Sequence, residues 1–483
     1  MWRLFPGAQR AGGRVRVPEH KGTASSASSH LPAPPRIYLS LQQHAGRPCQ
    51  PIVRAGERVV IGQVVAQPDG LGAPIHSPVC GKVSAITLWP HPSGQFVPTI
   101  IIDNDGGDTV LPLDRLGLEA AGSPEVMEPA DIRRLAQDAG LVGLGGGLFP
   151  TSVKLTPPPG CQIDTVIING CECEPYLTCD DRLMQEQTAT LVWGARAIRR
   201  AVGATHLLFA VEENKPAAIA ALRLAITGLA NAEVKVLPSR YPQGSELCLV
   251  RVLTGREVPV SGIPAQVGTL VQNVGTTVAL GQALQKGRPL TERLVTVAGD
   301  LVQKPGNYWI PLGTLIQDVL QAVGVDTSRL RHLLMGGPMM GQSLGRLDVP
   351  VIKGTGGILA FSSVTLPTLE PQPCVRCGMC VKVCPQGLIP FRLGRLAQAG
   401  QWQQAAQEGL WSCMECGSCV YVCPSARPTV QLVRMAKAAL RQEQQRRQQA
   451  QPAPSPRTVA PATAASNTSA GAKVKQPVAA KVS

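Results

Sequence analysis

Apolar residues change their spacing several times along this chain, and each change marks a different element pattern. From Ile37 to Asp103, short apolar runs alternate with glycine turns, as in VRAGERVVIGQVVAQ and IHSPVCGKVSAI, which predicts a small structure of short strands. From about residue 127 to 285, helical spacings alternate with the runs DTVIING (164–170), HLLFAV (206–211) and AEVKVLP (232–238). That alternation predicts an α/β domain with a largely parallel sheet. LVTVAGDLV and HLLMGGP, within residues 290–365, read as strands again. Beyond them Ile389, Leu393 and Leu396 recur at helical intervals, and Gly400 can stop that helix. Trp402, Ala405 and Ala406 suggest a second helix. Pro428 can open a third, with Val430, Val433 and Leu440 on one side.

Candidate chemistry concentrates in the last of these regions. Eight of the fifteen cysteines form two copies of C-x2-C-x2-C-x3-C-P: Cys374, Cys377, Cys380 and Cys384, then Cys413, Cys416, Cys419 and Cys423. Three thiolates at two-residue gaps let one loop wrap three corners of a [4Fe–4S] cube, and the proline turns the chain away. In two-cluster proteins of this spacing the fourth cysteine serves the other cluster. Cys374, Cys377, Cys380 and Cys423 are therefore expected on one cluster, and Cys413, Cys416, Cys419 and Cys384 on the second. Structural zinc favours separated cysteine pairs, and disulfides need an oxidising compartment, so both fit less well. Paired clusters imply electron relay through a helical module.

Charge refines the picture at the ends. The 483 residues carry a formal +14, unevenly spread: residues 441–483 hold seven Lys or Arg against one Glu. That stretch, rich in Gln, Ala and Pro, is expected to be a disordered basic tail from about residue 446. Nucleic acid is not expected as a partner, because no aromatic residues interleave with the charge. Each basic residue near anionic lipid contributes about 1 kcal/mol, so the tail can add only a weak, salt-sensitive membrane attraction. Residues 1–35, rich in Gly, Ser and Pro, are expected to extend over other domains. No run approaches the roughly 18 apolar residues of a spanning helix, and MWRLFPGAQRAGGRVRV lacks the apolar core of a signal peptide, so a cytosolic location is expected.

The strand-rich region resembles two half-motifs of a lipoyl-like barrel sandwich. Its connecting segment PDGLGAP has no lysine, which argues against a swinging arm. His76 is expected to be a structural turn residue rather than a ligand. Ahead of the first α/β strand lies GLVGLGGGLFPTSVKL, whose glycines allow backbone amides to approach an anion, although a tight turn explains them equally. NGCECEPY sets Asn169, Glu172 and Glu174 just past a strand end, where open α/β sheets bind ligands. Cys161, Cys171, Cys173 and Cys179 have gaps that match no standard metal site and are expected to be reduced structural thiols.

In order along the chain stand the glycine loop, NGxExEP, YPQGSE (241–246), VQNVGT (271–276), GDLVQKPGNYW (299–309), MGGPMMG (335–341) and the double cysteine motif. This ordered set resembles the C subunit of the Rnf/Rsx electron-transport complex, from about Gly12 to Met435. Its central part is similar to the flavoprotein subunit of respiratory complex I. The resemblance implies an extended segment (1–35), a barrel sandwich (36–105), an FMN- and NADH-binding α/β domain (127–285), a β-grasp domain of the SLBB type (290–365) and a two-cluster ferredoxin domain (371–445). It implies a flavin site of Gly143, Gly145, Gly146, Gly147, Lys154, Asn169, Glu172, Gly244, Glu246 and Asn273. Lys154 would meet phosphate, Asn169 and Glu172 would hold ribityl oxygens, and Glu174 and Glu246 would lie on the nicotinamide side. It also implies two [4Fe–4S] clusters, FMN, NAD(H) as substrate, and peripheral attachment to integral-membrane partner subunits on the cytoplasmic side of the bacterial inner membrane. Leu148 replaces a glycine of the family loop. Cys171 replaces an alanine, and Ser245, Leu247 and Cys248 replace Gly, Lys and Gln. These departures leave open a flavin-less relay scaffold. A soluble NADH-linked dehydrogenase or hydrogenase module is the other alternative.

Overall fold

The computed structural model describes residues 14–114, 123–365 and 369–450. Most of the basic tail expected from residue 446, and the first thirteen residues, lie outside the described residues. The chain divides into two compact units, 1–437 and 438–483. In the second, residues 438–450 are helical, so the expected tail begins inside a helix.

The barrel sandwich opens the first unit. Strands Arg36–Ser40, Phe96–Asn104, Gly81–Pro90 and Arg58–Val59 form an antiparallel sheet, and Gln50–Pro51, Val64–Gln67 and Ile75–His76 form a smaller one. Ile37, Leu39, Ile100 and Ile102 are fully buried, and their alternating spacing supplies one apolar face. His76, expected in a turn, is instead a strand residue buried with neither ring nitrogen hydrogen-bonded. Burial and the nearby Lys353 push its pKa down to about 3, so the ring is neutral.

The α/β domain follows. Its four strands are all parallel, in the order Ala232–Leu237, His206–Glu212, Thr165–Gly170, Thr269–Asn273. Val166 and Ile168 pack into the main core, while Ile167 packs with Leu249, Val250 and Val271 on the opposite face. A sheet covered on both sides needs the unbroken apolar run that DTVIING provides. Sequence order proceeds outward from Thr165–Gly170 through two strands and then returns to Thr269–Asn273 on its other side. The carboxyl ends of these two neighbours therefore form a topological switch point, where such sheets bind ligands.

A mixed six-stranded sheet comes next, with strands Glu292–Ala298, Gly306–Pro311, His332–Met335 and Gly357–Phe361 at its centre and helix Ile316–Ala322 packed through Ile316, Val319 and Leu320. Strand Ser29–His30, from the segment expected to extend over other domains, pairs parallel to Tyr308 and Trp309 at its edge. The cysteine module is helical, with Pro390–Gln398 and Trp402–Gln407 between the two cysteine loops. Gly400 stops the first helix at φ 71°, a left-handed conformation that glycine adopts without a Cβ clash.

Candidate flavin and cluster sites

Asn169 and Asn273 are register partners across the switch point. Asn169 Nδ2 donates to the Gly244 carbonyl at 2.8 Å, and its Oδ1 accepts from the Cys171 amide at 3.2 Å. Asn273 caps helix Val274–Lys286 by accepting from the Thr276 amide and donates to Asp180 Oδ2 at 2.7 Å. The glycine loop folds over this point. It closes through Gly143 N–H to the Phe149 carbonyl and Leu148 N–H to the Gly143 carbonyl, each at 2.9 Å. Leu144 N–H donates to Thr276 Oγ1 at 2.8 Å, which staples the loop to the helix N-terminus. A Cβ on Gly145 would sit 3.2 Å from the Asn273 Cβ, whereas Cβ atoms on Gly146 and Gly147 would meet nothing within 4 Å. Gly145, Gly146 and Gly147 thus present exposed backbone beside the paired asparagines.

The remaining expected residues surround this opening. Lys154 Nζ pairs with Glu246 Oε1 at 2.7 Å, joining the glycine loop's helix to the YPQGSE loop. Glu172, with φ 47°, accepts from the Asp180 and Asp181 amides at 2.7 and 3.2 Å. Burial and the Glu172 charge push Asp180 up to about 7. Glu174 turns elsewhere: its carboxylate accepts from the Met339 and Met340 amides at 3.0 and 2.8 Å and from the Tyr241 hydroxyl at 3.4 Å. Burial raises its pKa against those donors. Gly337 has to be glycine here, because a Cβ would approach Glu174 Oε2 to 2.2 Å. Leu148 itself takes φ 52°, a left-handed conformation that favours glycine. Its side chain packs against Gly354, away from the open glycines.

The eight motif cysteines line two cavities. One is bounded by Cys384, Cys413, Cys416 and Cys419 among apolar side chains such as Leu393 and Val433. The other is bounded by Cys374, Cys377, Cys380 and Cys423, and Cys419 lines it as well as the first. Burial and the thiols of Cys413, Cys416, Cys384 and Cys380 push Cys419 up to about 12. Cys380, Cys384 and Cys413 are also raised by burial. Thiols crowded in this way ionise together only around a cation, which fits the donor set to a metal cluster. Gly417, beside the first cavity, approaches the Met339 carbonyl so closely that a Cβ would lie 2.7 Å from it.

Four family models match these regions: the RnfC barrel sandwich hybrid domain over residues 9–107, the Nuo51 FMN-binding domain over 136–282, the SLBB domain over 294–343 and the 4Fe-4S dicluster domain over 366–424. The C subunit of the ion-translocating oxidoreductase complex of Rhodobacter capsulatus is 41% identical over 404 residues, covering 82% of this chain and 77% of its own. The C subunit of the proton-translocating ferredoxin:NAD(+) oxidoreductase complex of Clostridium ljungdahlii is 38% identical over 389 residues, covering 80% and 84%. The Na(+)-translocating counterpart of Acetobacterium woodii is 39% identical over 372 residues, covering 77% and 83%. The chain belongs to the C-subunit family of ion-translocating oxidoreductase complexes. It is an electron-transport subunit of the oxidoreductase class, built around an FMN-binding domain and a dicluster domain.

Within this family member, several residues that hold the sites carry no sequence motif. Lys21 Nζ donates to the carbonyls of Glu172, Glu174 and Leu177 at 2.6–2.8 Å, wrapping the NGCECEPY loop from the N-terminal segment. Arg293 donates to the Leu144 carbonyl through both terminal nitrogens, and also to the Lys353 carbonyl. Lys353, fully buried, donates to the Pro74 and Gly140 carbonyls at 2.7 Å each. The signal for Asp180 was at hand, as a further carboxylate after Glu172 and Glu174. Lys21, Arg293 and Lys353 are isolated cations whose contacts are far away in sequence. Among the described residues, no helix is long and apolar enough to cross a membrane.

Proposed function

We propose that this protein passes electrons between NAD(H) and two [4Fe–4S] clusters through FMN held at the switch point. FMN exchanges hydride with nicotinamide and single electrons with clusters, which is the chemistry a junction of these two domains requires. The observation that carries the reading is the register pairing of Asn169 with Asn273 beside the open glycine loop. Gly143, Gly145, Gly146 and Gly147 would offer backbone donors, Asn169, Glu172, Gly244 and Asn273 would face ribityl and phosphate oxygens, and Lys154 would release Glu246 to meet phosphate. The two cysteine quartets lining separate cavities support the crossed ligation. As in the relatives named for ion translocation, partner subunits would couple the transfer to ion movement, with this chain peripheral on the cytoplasmic face of the inner membrane. The domain limits proposed are 36–105, 127–285, 290–365 and 371–445.

The test is flavin and iron content of anaerobically purified full-length protein, followed by calorimetric titration of the deflavinated protein with FMN. Asn169→Ala is expected to weaken FMN at least tenfold, about 1.4 kcal/mol, with cluster absorption unchanged. Clusters present with no FMN binding at all would select the relay-scaffold reading instead.

A further inference from the structure

The two cysteine loops are near-copies in backbone and opposites in charge. Arg376 and Glu415 are the residues before the second cysteine of each loop, and they share a left-handed conformation, φ 57° and 58°. Gly378 and Gly417 follow at φ 76° and 78°. The same backbone site therefore carries a cation in one loop and an anion in the other. The surroundings extend the contrast. Arg376, Arg395 and Arg427 all line the cavity of Cys374, Cys377, Cys380 and Cys423. Among the described residues, no charged side chain lines the other cavity. Near that one, Glu415 is paired with Arg434 at 2.9 Å and Lys437 at 2.8 Å, and Lys437 also donates to the Cys413 carbonyl at 2.7 Å. Solvent differs in the same sense: Cys374 and Cys377 are exposed, whereas Cys384 and Cys416 are 7% and 8% exposed.

A [4Fe–4S] cluster gains one negative charge on reduction, so net charge, hydrogen bonding and solvent exposure set its potential. Nearby cations and water stabilise the reduced form; an apolar, enclosed cavity disfavours it. We propose that the cluster in the arginine-lined cavity has the higher reduction potential of the two, set by Arg376, Arg395 and Arg427. The inference rests on the reading that each cavity holds a cluster. The step is a one-electron exchange: the enclosed cluster is oxidised, the arginine-lined cluster is reduced, and no proton or third reactant is needed. Contact of Gly417 with Met339, whose amide binds Glu174, sets the enclosed cavity on the side facing the flavin domain. Electrons leaving flavin thus run downhill toward the exposed loop. Electrons entering at the exposed loop meet an uphill step before flavin.

The test is potentiometry of the anaerobic full-length protein, followed by electron paramagnetic resonance. Cys374→Ser and Cys413→Ser, made separately, assign the two signals. In the otherwise wild-type protein, the first cluster to be reduced should be the one whose signal Cys374→Ser perturbs. Arg395→Gln, and more strongly Arg376→Glu, should shift the electron distribution away from that cluster at least tenfold, equal to about 59 mV for one electron. The other cluster should move little. Iron content near eight per chain checks that the variants keep both clusters, four irons per cube. Arginine variants that retain both clusters with unchanged potentials overturn the proposal, as does first reduction of the cluster perturbed by Cys413→Ser. Absence of iron from wild-type protein would instead remove the cluster reading itself.

Discussion

The cysteine loops and the glycine loop are both tight turns shaped for a cofactor, but their geometry comes from different distances along the chain. In each cysteine loop the cysteines lie within ten residues of one another, and each cavity is also lined by cysteine from the other copy. The glycine loop is fixed from outside. Thr276, Arg293 and Lys353 hold Leu144 and Gly140, and the Ala45 amide donates to the Leu148 carbonyl at 2.9 Å. A metal cluster demands its own spacing and supplies its own cross-links. A loop that offers backbone amides to a ligand needs a rigid support, and here four other segments provide it.

The largest effect expected on this contrast comes from Cys384→Ala. Cys384 lines the cavity of the second triplet although it follows the first in sequence. Losing it should destroy the enclosed cluster and lower iron from about eight toward about four per chain, four irons being one cube. Selective loss of the cluster that depends on Cys374 would show that ligation is not crossed.

The same contrast separates what the sequence makes visible from what it hides. The cysteine spacing and the apolar runs of three of the four α/β strands were legible, because ligand geometry and burial act over a few residues. Glu174 was legible as a site candidate but not as the partner of Met339 and Met340, about 165 positions away. Lys21, Arg293 and Lys353 stand in no motif, since burial of a lone cation depends on tertiary carbonyls that no local pattern announces. The sequence shows Leu148 in place of a glycine, and only the position of Gly354 shows which way its side chain points.

Lys353 sharpens the comparison through pH. Burial pushes its ammonium down to about 7 from 10.5. At high pH the lysine is neutral in folded and unfolded chains, and its contribution to stability is fully present. As pH falls from about 10.5 toward 7, the unfolded chain gains a proton that the folded chain resists, and stability is lost. Over that window the loss is about 5 kcal/mol for this group, at about 1.36 kcal/mol for each pH unit crossed. Lys353→Met should flatten this part of the stability–pH curve, measured by denaturant unfolding, while leaving the dependence below pH 6 unchanged. An unaltered slope between pH 7 and 10 would mean that the ammonium keeps its proton on the two carbonyls.

The smallest expected effect is at Leu148, where opposing contributions nearly cancel. A left-handed leucine costs roughly 1–2 kcal/mol, which glycine would relieve. The leucine side chain is half-buried, and its removal forfeits packing worth up to about 1.5–3 kcal/mol if the side chain were fully enclosed. The glycine also gives the unfolded chain more freedom, about 0.4–1 kcal/mol in its favour. Leu148→Gly should therefore change stability by no more than about 1 kcal/mol. Its effect on FMN follows from direction rather than size. The side chain contacts Gly354, whereas Gly146 and Gly147 face open space. Removing it frees no room at the ligand face, and FMN affinity should stay within about threefold of wild type, under about 0.7 kcal/mol. Calorimetric titration of both proteins decides the point: tenfold tighter binding by Leu148→Gly would place the leucine against the flavin after all.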